Sequence, residues 1–380
     1  MKKSLIALAV AGTFAAPAAF AATANVDVYG VLNVSYDYIS SDQPAPADTS
    51  LGRISSNSSR LGFKGSEDLG GGLSALWQIE MTIAVDGGNA NTPAGIANAG
   101  ASAHALRNTF VGLSSKGMGT ILAGTHDTPY KLATARLDPF VDTTGDYNIA
   151  IGSVNGINAF ELRANNALAY VSPNLSGFTF SGAYVFGGEL NNNNPNGANQ
   201  FCTGPVGTKC ADFDAWSVSG TYESGPLFGS LAYEKHNNIG VGTNGADDRS
   251  SWKVGLGYKF GSTALGLVYE KSSQTGNTVT DRDAWAVNVA HDMGPIRLMA
   301  AYYSMGDGKT AADTSASAWA IGANYNLSKR SLVYARYLHI SNDTGASYGY
   351  VGGQGPNAFG FTPAAGTDPS VFSVGIRHSF

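Results

Sequence analysis

Residues 372–380 constrain the fold more than any other segment, because apolar and polar side chains alternate along them to the final aromatic residue. Every second residue belongs to a mostly apolar face: Phe380, His378, Ile376, Val374 and Phe372. The residues between them are polar or very small. Since successive side chains of a β-strand point to opposite faces, the segment predicts a strand with one apolar and one polar face. Such a strand suits a sheet with lipid on one side and water on the other.

The same two-residue period recurs along the chain. Near the start, one face carries Val26, Val28, Leu32, Val34, Tyr36 and Tyr38. Residues 252–260 and 319–327 repeat the pattern with tryptophan, valine, leucine, isoleucine and tyrosine. Alternation over about nine to eleven residues is long for a soluble strand and typical of a tilted membrane strand.

The connections between these segments are alternately short and long. The sequence indicates seven short turns, such as 261–262 and 293–295, and eight long loops, such as 85–104, 126–163 and 342–369. We therefore predict an all-β fold, a 16-stranded antiparallel transmembrane β-barrel with short periplasmic turns and long extracellular loops. A barrel of this size is wide enough to hold a water-filled lumen. A soluble β-propeller or β-helix would need a repeated motif, and we find none.

The first 21 residues predict a secretory signal peptide. Lys2 and Lys3 precede a short apolar run, and a small-residue cleavage motif places the cut between Ala21 and Ala22. A membrane anchor is the alternative, but the run is short and Pro17 interrupts it. Residues 22–380 would then form the barrel domain.

Composition excludes several classes of function. The chain has 49 glycines and only 13% charged residues, and its formal net charge is −5. Loss of the two leader lysines would lower that charge by two, to about −7, which argues against nucleic-acid binding. No nucleophile, phosphate-loop or zinc-protease motif is present, so we expect neither an enzyme nor a cofactor.

The cysteines, Cys202 and Cys210, lie close together in a stretch rich in asparagine and glycine. In an exported protein this spacing predicts a small loop disulfide, with two free thiols as the alternative. No histidine or further cysteine lies nearby in sequence, so a metal site is not expected.

Strand parity sorts the charged residues between the two faces. Bases with the parity of the polar, water-facing side are Arg60, Lys64, Arg107, Lys253, Lys259, Arg297, Arg336 and Arg377. Acids with that parity are Asp27, Asp37, Glu80, Glu234 and Glu270. Most other acids fall in the long loops, so the wall leans basic and the outer mouth acidic. Charges lining a pore would set the sign of the ions it prefers, although they could also serve only to solvate the wall.

Four segments and the terminal Phe380 carry a resemblance to a known family. Residues 59–73, 107–113, 119–124 and 166–178 resemble strands and turns of the general porins of Gram-negative bacteria, in particular the β-proteobacterial branch. The similarity extends along the whole mature chain. It implies an outer-membrane barrel whose third long loop folds inward and narrows the lumen to an eyelet.

The resemblance also implies which residues line that eyelet. The basic side would be Arg60, Arg107 and Arg163, with Lys64 as a further base, and the acidic side would be Asp138 and Asp142. These aspartates could instead, or in addition, cap a short helix within the loop. The implied function is passive diffusion of small hydrophilic solutes and ions, filtered by size and charge, with a weak preference for anions. A substrate-specific channel with a saturable binding site is the alternative.

Partners follow from the same resemblance. General porins are usually homotrimers, in contact through the outer wall near the first and last strands and through the second long loop. Their surroundings are outer-membrane lipid and lipopolysaccharide. Their terminal phenylalanine, here Phe380, is part of the signal read by the barrel-assembly machinery.

Overall fold

The computed structural model describes residues 25–42, 50–86, 106–154, 157–158, 160–187, 214–237, 248–275, 281–309, 313–349 and 363–380. The predicted cleavage site at Ala21 and Ala22 and the predicted disulfide between Cys202 and Cys210 lie outside these residues. Both therefore stay predictions, as does most of the second long loop.

Nearly all of the described chain is β-strand. The strands are β1 Asn25–Ser41, β2 Leu51–Ser56, β3 Arg60–Gly70, β4 Leu73–Thr82, β5 Thr109–Ser115, β6 Gly119–Asp127, β7 Ser153–Val154, β8 Ile157–Asn158, β9 Arg163–Val171, β10 Phe178–Phe186, β11 Asp214–Ser224, β12 Leu227–Asn237, β13 Arg249–Phe260, β14 Thr263–Gln274, β15 Arg282–Met293, β16 Ile296–Met305, β17 Ala316–Asn326, β18 Ser331–Asn342 and β19 Pro369–Ser379.

Apart from the small β7–β8 hairpin, these strands form one closed antiparallel sheet. β1 pairs with both β2 and β3, each strand from β3 to β6 and from β9 to β19 pairs with the next, β6 pairs with β9, and β19 pairs with β1 to close the ring. Since β2 and β3 both pair with β1, they are two halves of one spanning strand, interrupted at residues 57–59. The barrel therefore has 16 spans, which confirms the predicted fold.

The ends of the sheet meet at Gly30 and Phe380. The Phe380 amide donates to the Gly30 carbonyl at 3.0 Å, and the Gly30 amide donates to the Phe380 carbonyl at 3.1 Å. A Cβ on Gly30 would lie 2.4 Å from the Phe380 ring, so only glycine leaves room for that ring on the outer surface.

Aromatic side chains form a belt on the outer surface near the long loops. Tyrosine faces tryptophan directly across three long-loop hairpins, in the pairs Tyr233–Trp252, Tyr269–Trp285 and Tyr302–Trp319. Tyr184–Trp216 and Tyr337–Phe372 extend this belt, and Tyr38 continues it onto β1. The belt thus runs from β10 through β19 to β1. Aromatic girdles of this kind mark the membrane–water interface.

Three short helical turns lie between β6 and β9. They are α1 Pro129–Leu132 and the 3₁₀ turns Ala135–Leu137 and Tyr147–Ile149. Among the described residues, no helix has both the length and the apolar character needed to cross a membrane.

The main apolar core lies inside the barrel. There the turns between β6 and β9 pack on a wall of small side chains, which include Ala284, Ala286 and Ala290 on β15 and Ala318 and Ala320 on β17. All of these alanines point inward and are buried. Because their side chains are short, they leave volume that the inserted segment fills.

Candidate constriction site

The segment of residues 128–162, here called the inner loop, leaves the sheet after β6 and enters the lumen. It starts with a helix cap, in which the Thr128 hydroxyl accepts a hydrogen bond from the Lys131 amide and Pro129 occupies the first turn. Tyr130 then fixes the loop to the far wall. Its amide donates to Ser217 Oγ at 2.9 Å and its hydroxyl donates to Glu270 at 2.7 Å.

The middle of the inner loop crosses to the first strands. Asn33 on β1 donates to the Asp142 carbonyl at 2.8 Å, and Arg60 on β3 donates to the Asp142 carboxylate at 3.0 Å. On the other side of the loop, the Tyr303 hydroxyl donates a hydrogen bond to the Gly145 carbonyl at 2.6 Å. The loop therefore spans the lumen between β16 and β3.

Buried charged groups fix the return of the inner loop to the sheet. The Gly152 amide donates to Glu270, and the Arg282 guanidinium donates to the Ala150 carbonyl at 2.7 Å. Glu161 forms an ion pair with Lys253, and both side chains are at most 2% exposed. Isolated buried charges are costly, so this pair ties the end of the loop firmly to β13.

The inner loop lies where the wall lacks side chains. A Cβ on Gly257 would lie 2.8 Å from Leu137 Cδ2, and one on Gly255 would lie 2.8 Å from Leu137 Cδ1. On β17, a Cβ on Gly322 would lie 3.0 Å from the Phe140 ring. We call the inward faces of β11–β18 the loop-bearing wall.

Arginines dominate the opposite side of the lumen. Here called the open wall, it consists of the inward faces of β3–β6 and β9 with the adjoining residue Arg107. Arg60 begins β3, Arg107 precedes β5, and Arg163 begins β9. Residues 57–59 help to place Arg60, because the Ser58 carbonyl, at the break between β2 and β3, accepts a hydrogen bond from its guanidinium at 3.0 Å. The three predicted arginines thus lie on one side of the lumen.

Two wall acids hold these arginines. Glu80 on β4 lies 2.7 Å from Arg107 and 3.9 Å from Arg60. Asp127 at the end of β6 lies 3.0 Å from Lys131 and 3.1 Å from Arg163. Each acid therefore bridges two bases, and the bases form a fixed array along the rim of the passage.

The bases are the more exposed partners in this array. Their side chains are 14–25% exposed, whereas those of Glu80 and Asp127 are 9% and 13% exposed. Each base is thus somewhat more accessible than the wall acid with which it pairs.

The two predicted loop acids occupy different places. Asp142 reaches the arginines, and its backbone has φ = 58°, a left-handed conformation that aspartate adopts more readily than most residues. Asp138 does not reach them. It is buried and accepts hydrogen bonds from the Phe140 and Tyr147 amides at 2.8 and 3.1 Å. These contacts hold the inner loop together, but the residue that caps the turn Tyr147–Ile149 is Asp146, whose carboxylate accepts from the Asn148 amide at 3.0 Å.

Lys64 also lies apart from the array. It is exposed on β3, closer to the short turns than Arg60, and its ammonium lies 5.2 Å from the centre of the Tyr29 ring. The geometry thus joins Arg60, Arg107, Arg163 and Asp142, but neither Lys64 nor Asp138, in one array.

Several carboxyl groups of the inner loop have raised pKa values. Burial raises the pKa of Asp146 to about 6 and that of Glu161 to about 7, the latter in spite of the Lys253 ammonium. Burial, followed by repulsion from Asp146, raises the pKa of Asp138 well above its ordinary value. The inner loop therefore changes charge at mildly acidic pH.

Sequence reasoning missed two members of the array, Asp127 and Lys131. They stand four residues apart at the point where β6 becomes α1, and this spacing allows an ion pair across one helical turn. The pair Thr128-Pro129 between them is a helix-start signal, and it could have revealed that Asp127 and Lys131 lie close together.

The described residues contain no group of three or more histidine, cysteine or acidic side chains that could hold a metal ion. The array of charges lies between the inner loop and the open wall. Its geometry is that of a lined passage between an inserted loop and a basic wall.

Residues 6–375 match the sequence model of a family described as Gram-negative porin. The chain belongs to the Gram-negative porin family. It is 30% identical to outer membrane porin protein 32 of Delftia acidovorans over 385 residues, which cover all of both chains. With the closed barrel, this membership makes the protein an outer-membrane channel of a Gram-negative bacterium.

Solved porins share the barrel of this porin. The anion-selective porin from Comamonas acidovorans superposes with a TM-score of 0.70, at 24% identity over 94% of this chain and all of that one. OmpT of Vibrio cholerae in its trimer form has a TM-score of 0.64, at 16% identity over 94% of this chain and 99% of that one. At these identities the likeness concerns the fold.

Proposed function

We propose that this porin is a passive, general diffusion channel for small hydrophilic solutes and ions. The observation that carries the proposal is the inner loop, which crosses the lumen and brings the Asp142 carboxylate to 3.0 Å from Arg60. A loop held at both ends in this way narrows the passage and limits solutes by size. What remains open is lined by charged side chains that polar solutes can contact and apolar solutes would have to dehydrate.

Charge filtering would act at Arg60, Arg107, Arg163 and Lys131. Each of these side chains is partly exposed, and each is more exposed than the wall acid, Glu80 or Asp127, with which it pairs. Asp142 and Asp146 on the inner loop partly offset this charge. We therefore expect a weak preference for anions, the same sign as in the name of the Comamonas porin.

We further propose a homotrimer whose contact face is centred on β2–β6, and not on the first and last strands as the resemblance implies. The extracellular aromatic belt runs from β10 through β19 to β1, whereas the outward residues of β2–β6 near that rim are Ile54, Met81 and Thr109. A face without interfacial tyrosine or tryptophan suits contact with protein better than contact with lipid headgroups. The V. cholerae structure in a trimer form supports the same state.

Lipopolysaccharide around the aromatic belt, and the barrel-assembly machinery acting on the Phe380 strand, are the proposed cellular partners. The paired hydrogen bonds between Phe380 and Gly30 place this residue at the closing seam of the barrel. Before the ring is closed, the backbone groups of this last strand are unpaired at one edge. They are then available for pairing with another strand.

Single-channel recording in planar bilayers under a KCl gradient tests the proposal. Wild type should open in groups of three equal steps, and Arg107→Ala should move the zero-current potential toward cation preference without loss of the steps. Arg330→Ala, which removes a similar charge from a short turn, should leave the potential unchanged.

Other results would discriminate between the proposed channel, its charge filter and the substrate-specific alternative. Folded protein without conductance would overturn the diffusion-channel proposal. Steps with the same potential in wild type and Arg107→Ala would retain the channel and reject the filter. Flux that saturates with solute concentration would favour the substrate-specific alternative.

A further inference from the structure

A cavity of about 170 Å³ lies beneath the inner loop on the side of the short turns. Its ceiling is loop residues 136–139, and its other sides are the inward faces of β12–β16. This cavity, here called the lower alcove, is separate from the charged array, since none of the array residues lines it.

The floor of the lower alcove is apolar. Phe228, Ala264 and Ala290 of the wall form this floor, and Leu137 and Pro139 in the ceiling face them. A dry apolar cavity of similar size, about 150 Å³, holds a benzene ring in another protein. The lower alcove can therefore hold one ring or one branched hydrocarbon group of comparable volume.

Basic side chains surround the edge of this floor. Arg136 is paired with Glu223 at 2.7 Å and stacks on the Phe228 ring, 4.5 Å from its centre. Arg297 is paired with Asp292 at 3.6 Å. Lys259 is exposed, and among the described residues no carboxylate lies within ion-pairing distance of it. After pairing, one positive charge remains beside an apolar floor.

We propose that the lower alcove binds small monocarboxylates that carry an aromatic or branched apolar group. The ring or branch would rest under Leu137 and against Ala264 and Ala290. The carboxylate would meet Lys259, with the Asn288 amide as a further donor. A dianion would find only one unpaired base, and a neutral sugar would lose hydration against the apolar floor.

Such binding would act on the channel through the inner loop. Residues 136–139 form the ceiling of the lower alcove, and Asp142, three residues beyond, contacts Arg60. An occupied alcove would hold the loop in place and obstruct the passage just below the array. This inference rests on the proposed function, because it requires an open channel whose current can be blocked.

The test is current block by sodium benzoate added to the short-turn side of oriented channels in KCl. Benzoate should reduce the current in a saturable manner, whereas acetate, with the same charge but no ring, and benzyl alcohol, with the ring but no charge, should block at least tenfold less well. Lys259→Gln should raise the half-blocking concentration at least tenfold. Lys329→Gln, with the same change on the β17–β18 turn outside the alcove, should leave it unaltered.

A second variant separates the site from general charge effects. Ala264→Leu, which fills the alcove without a change of charge, should weaken benzoate block and leave the KCl conductance as in wild type. Equal block by acetate and benzoate, or unchanged block in both Lys259→Gln and Ala264→Leu, would overturn the inference while the channel still conducts. Loss of KCl conductance in wild type would instead count against the proposed function.

Discussion

The loop-bearing wall and the open wall belong to one sheet, yet they differ in the side chains they turn inward. On the loop-bearing wall these are mainly glycine and alanine at the level of the loop, with buried ion pairs at the anchor points. On the open wall they are long arginines and acids that remain partly exposed. Inward side-chain volume thus decides where the loop packs, and inward charge decides what lines the water that remains.

This difference also separates stability from selectivity. Contacts on the loop-bearing wall are dry and hold the loop, so changes there should alter folding and conductance. Contacts on the open wall are wet and partly screened, so changes there should alter ion preference with little effect on stability.

Removal of one partner of the buried ion pair should have the largest effect. Lys253→Met leaves the Glu161 carboxyl buried without its cation and should lower the free energy of unfolding by about 3–5 kcal/mol. Urea unfolding in detergent, followed by fluorescence, measures this change. Glu161→Gln added to Lys253→Met should recover much of the loss. Equal stability of the single variant and wild type would contradict the role of this pair.

Overpacking beneath the loop should have the next largest effect. Gly257→Val places methyl groups where Leu137 now lies and should cost about 1–3 kcal/mol, in part by lifting the loop from the wall. The open-channel conductance should then rise. Gly229→Val serves as the control, because a Cβ there meets its nearest atom at 3.9 Å, on the side chain of Leu256. Equal conductance in both variants would show that Gly257 does not set the loop position.

A change on the open wall should alter selectivity alone. Asp127→Asn leaves Lys131 and Arg163 without their shared acid, so anion preference should increase. Two charges about 4 Å apart in water interact by about 1 kcal/mol, which corresponds to roughly a fivefold change in the permeability ratio. Reversal potentials under a KCl gradient measure this permeability ratio. Asp343→Asn in an outer loop is the control, and a similar shift in both variants would refute a local effect.

The smallest expected effect is a dependence on pH. The pKa of Asp146 is about 6, so its carboxyl gains a proton between pH 7 and pH 5, where ordinary carboxylates of pKa about 4 remain ionised. Anion preference should rise over this interval, with a midpoint near pH 6. Because the folded pKa is raised, this group also makes the fold more stable at pH 5 than at pH 7.

Asp146→Asn provides the control for this effect. Reversal potentials recorded from pH 7 to pH 5 should change less in that variant than in wild type, and without a midpoint near pH 6, although the buried Glu161, whose pKa is about 7, still gains a proton in this interval. A midpoint near pH 6 that persists in Asp146→Asn would assign the titration to another group.

The sequence predicts the barrel well because a two-residue period is a local property of each strand. It predicts the loop poorly because no period relates loop residues to the wall. Asp138 and Asp142 are indistinguishable in sequence, and only the left-handed backbone at Asp142 and the burial of Asp138 separate them. The alternating alanines of β15 and β17 are a sequence signal of a covered wall, but small residues alone do not say what covers them.

The aromatic belt has a practical consequence. Four of the five tryptophans, Trp216, Trp252, Trp285 and Trp319, lie in one ring on successive long-loop hairpins, and each stacks near a tyrosine at 4.9–5.4 Å. The intrinsic fluorescence of the protein therefore reports mainly from a single depth in the bilayer. Quenching of this emission by lipids brominated at known carbon positions would measure the depth of the outer rim in the bilayer, with no added label.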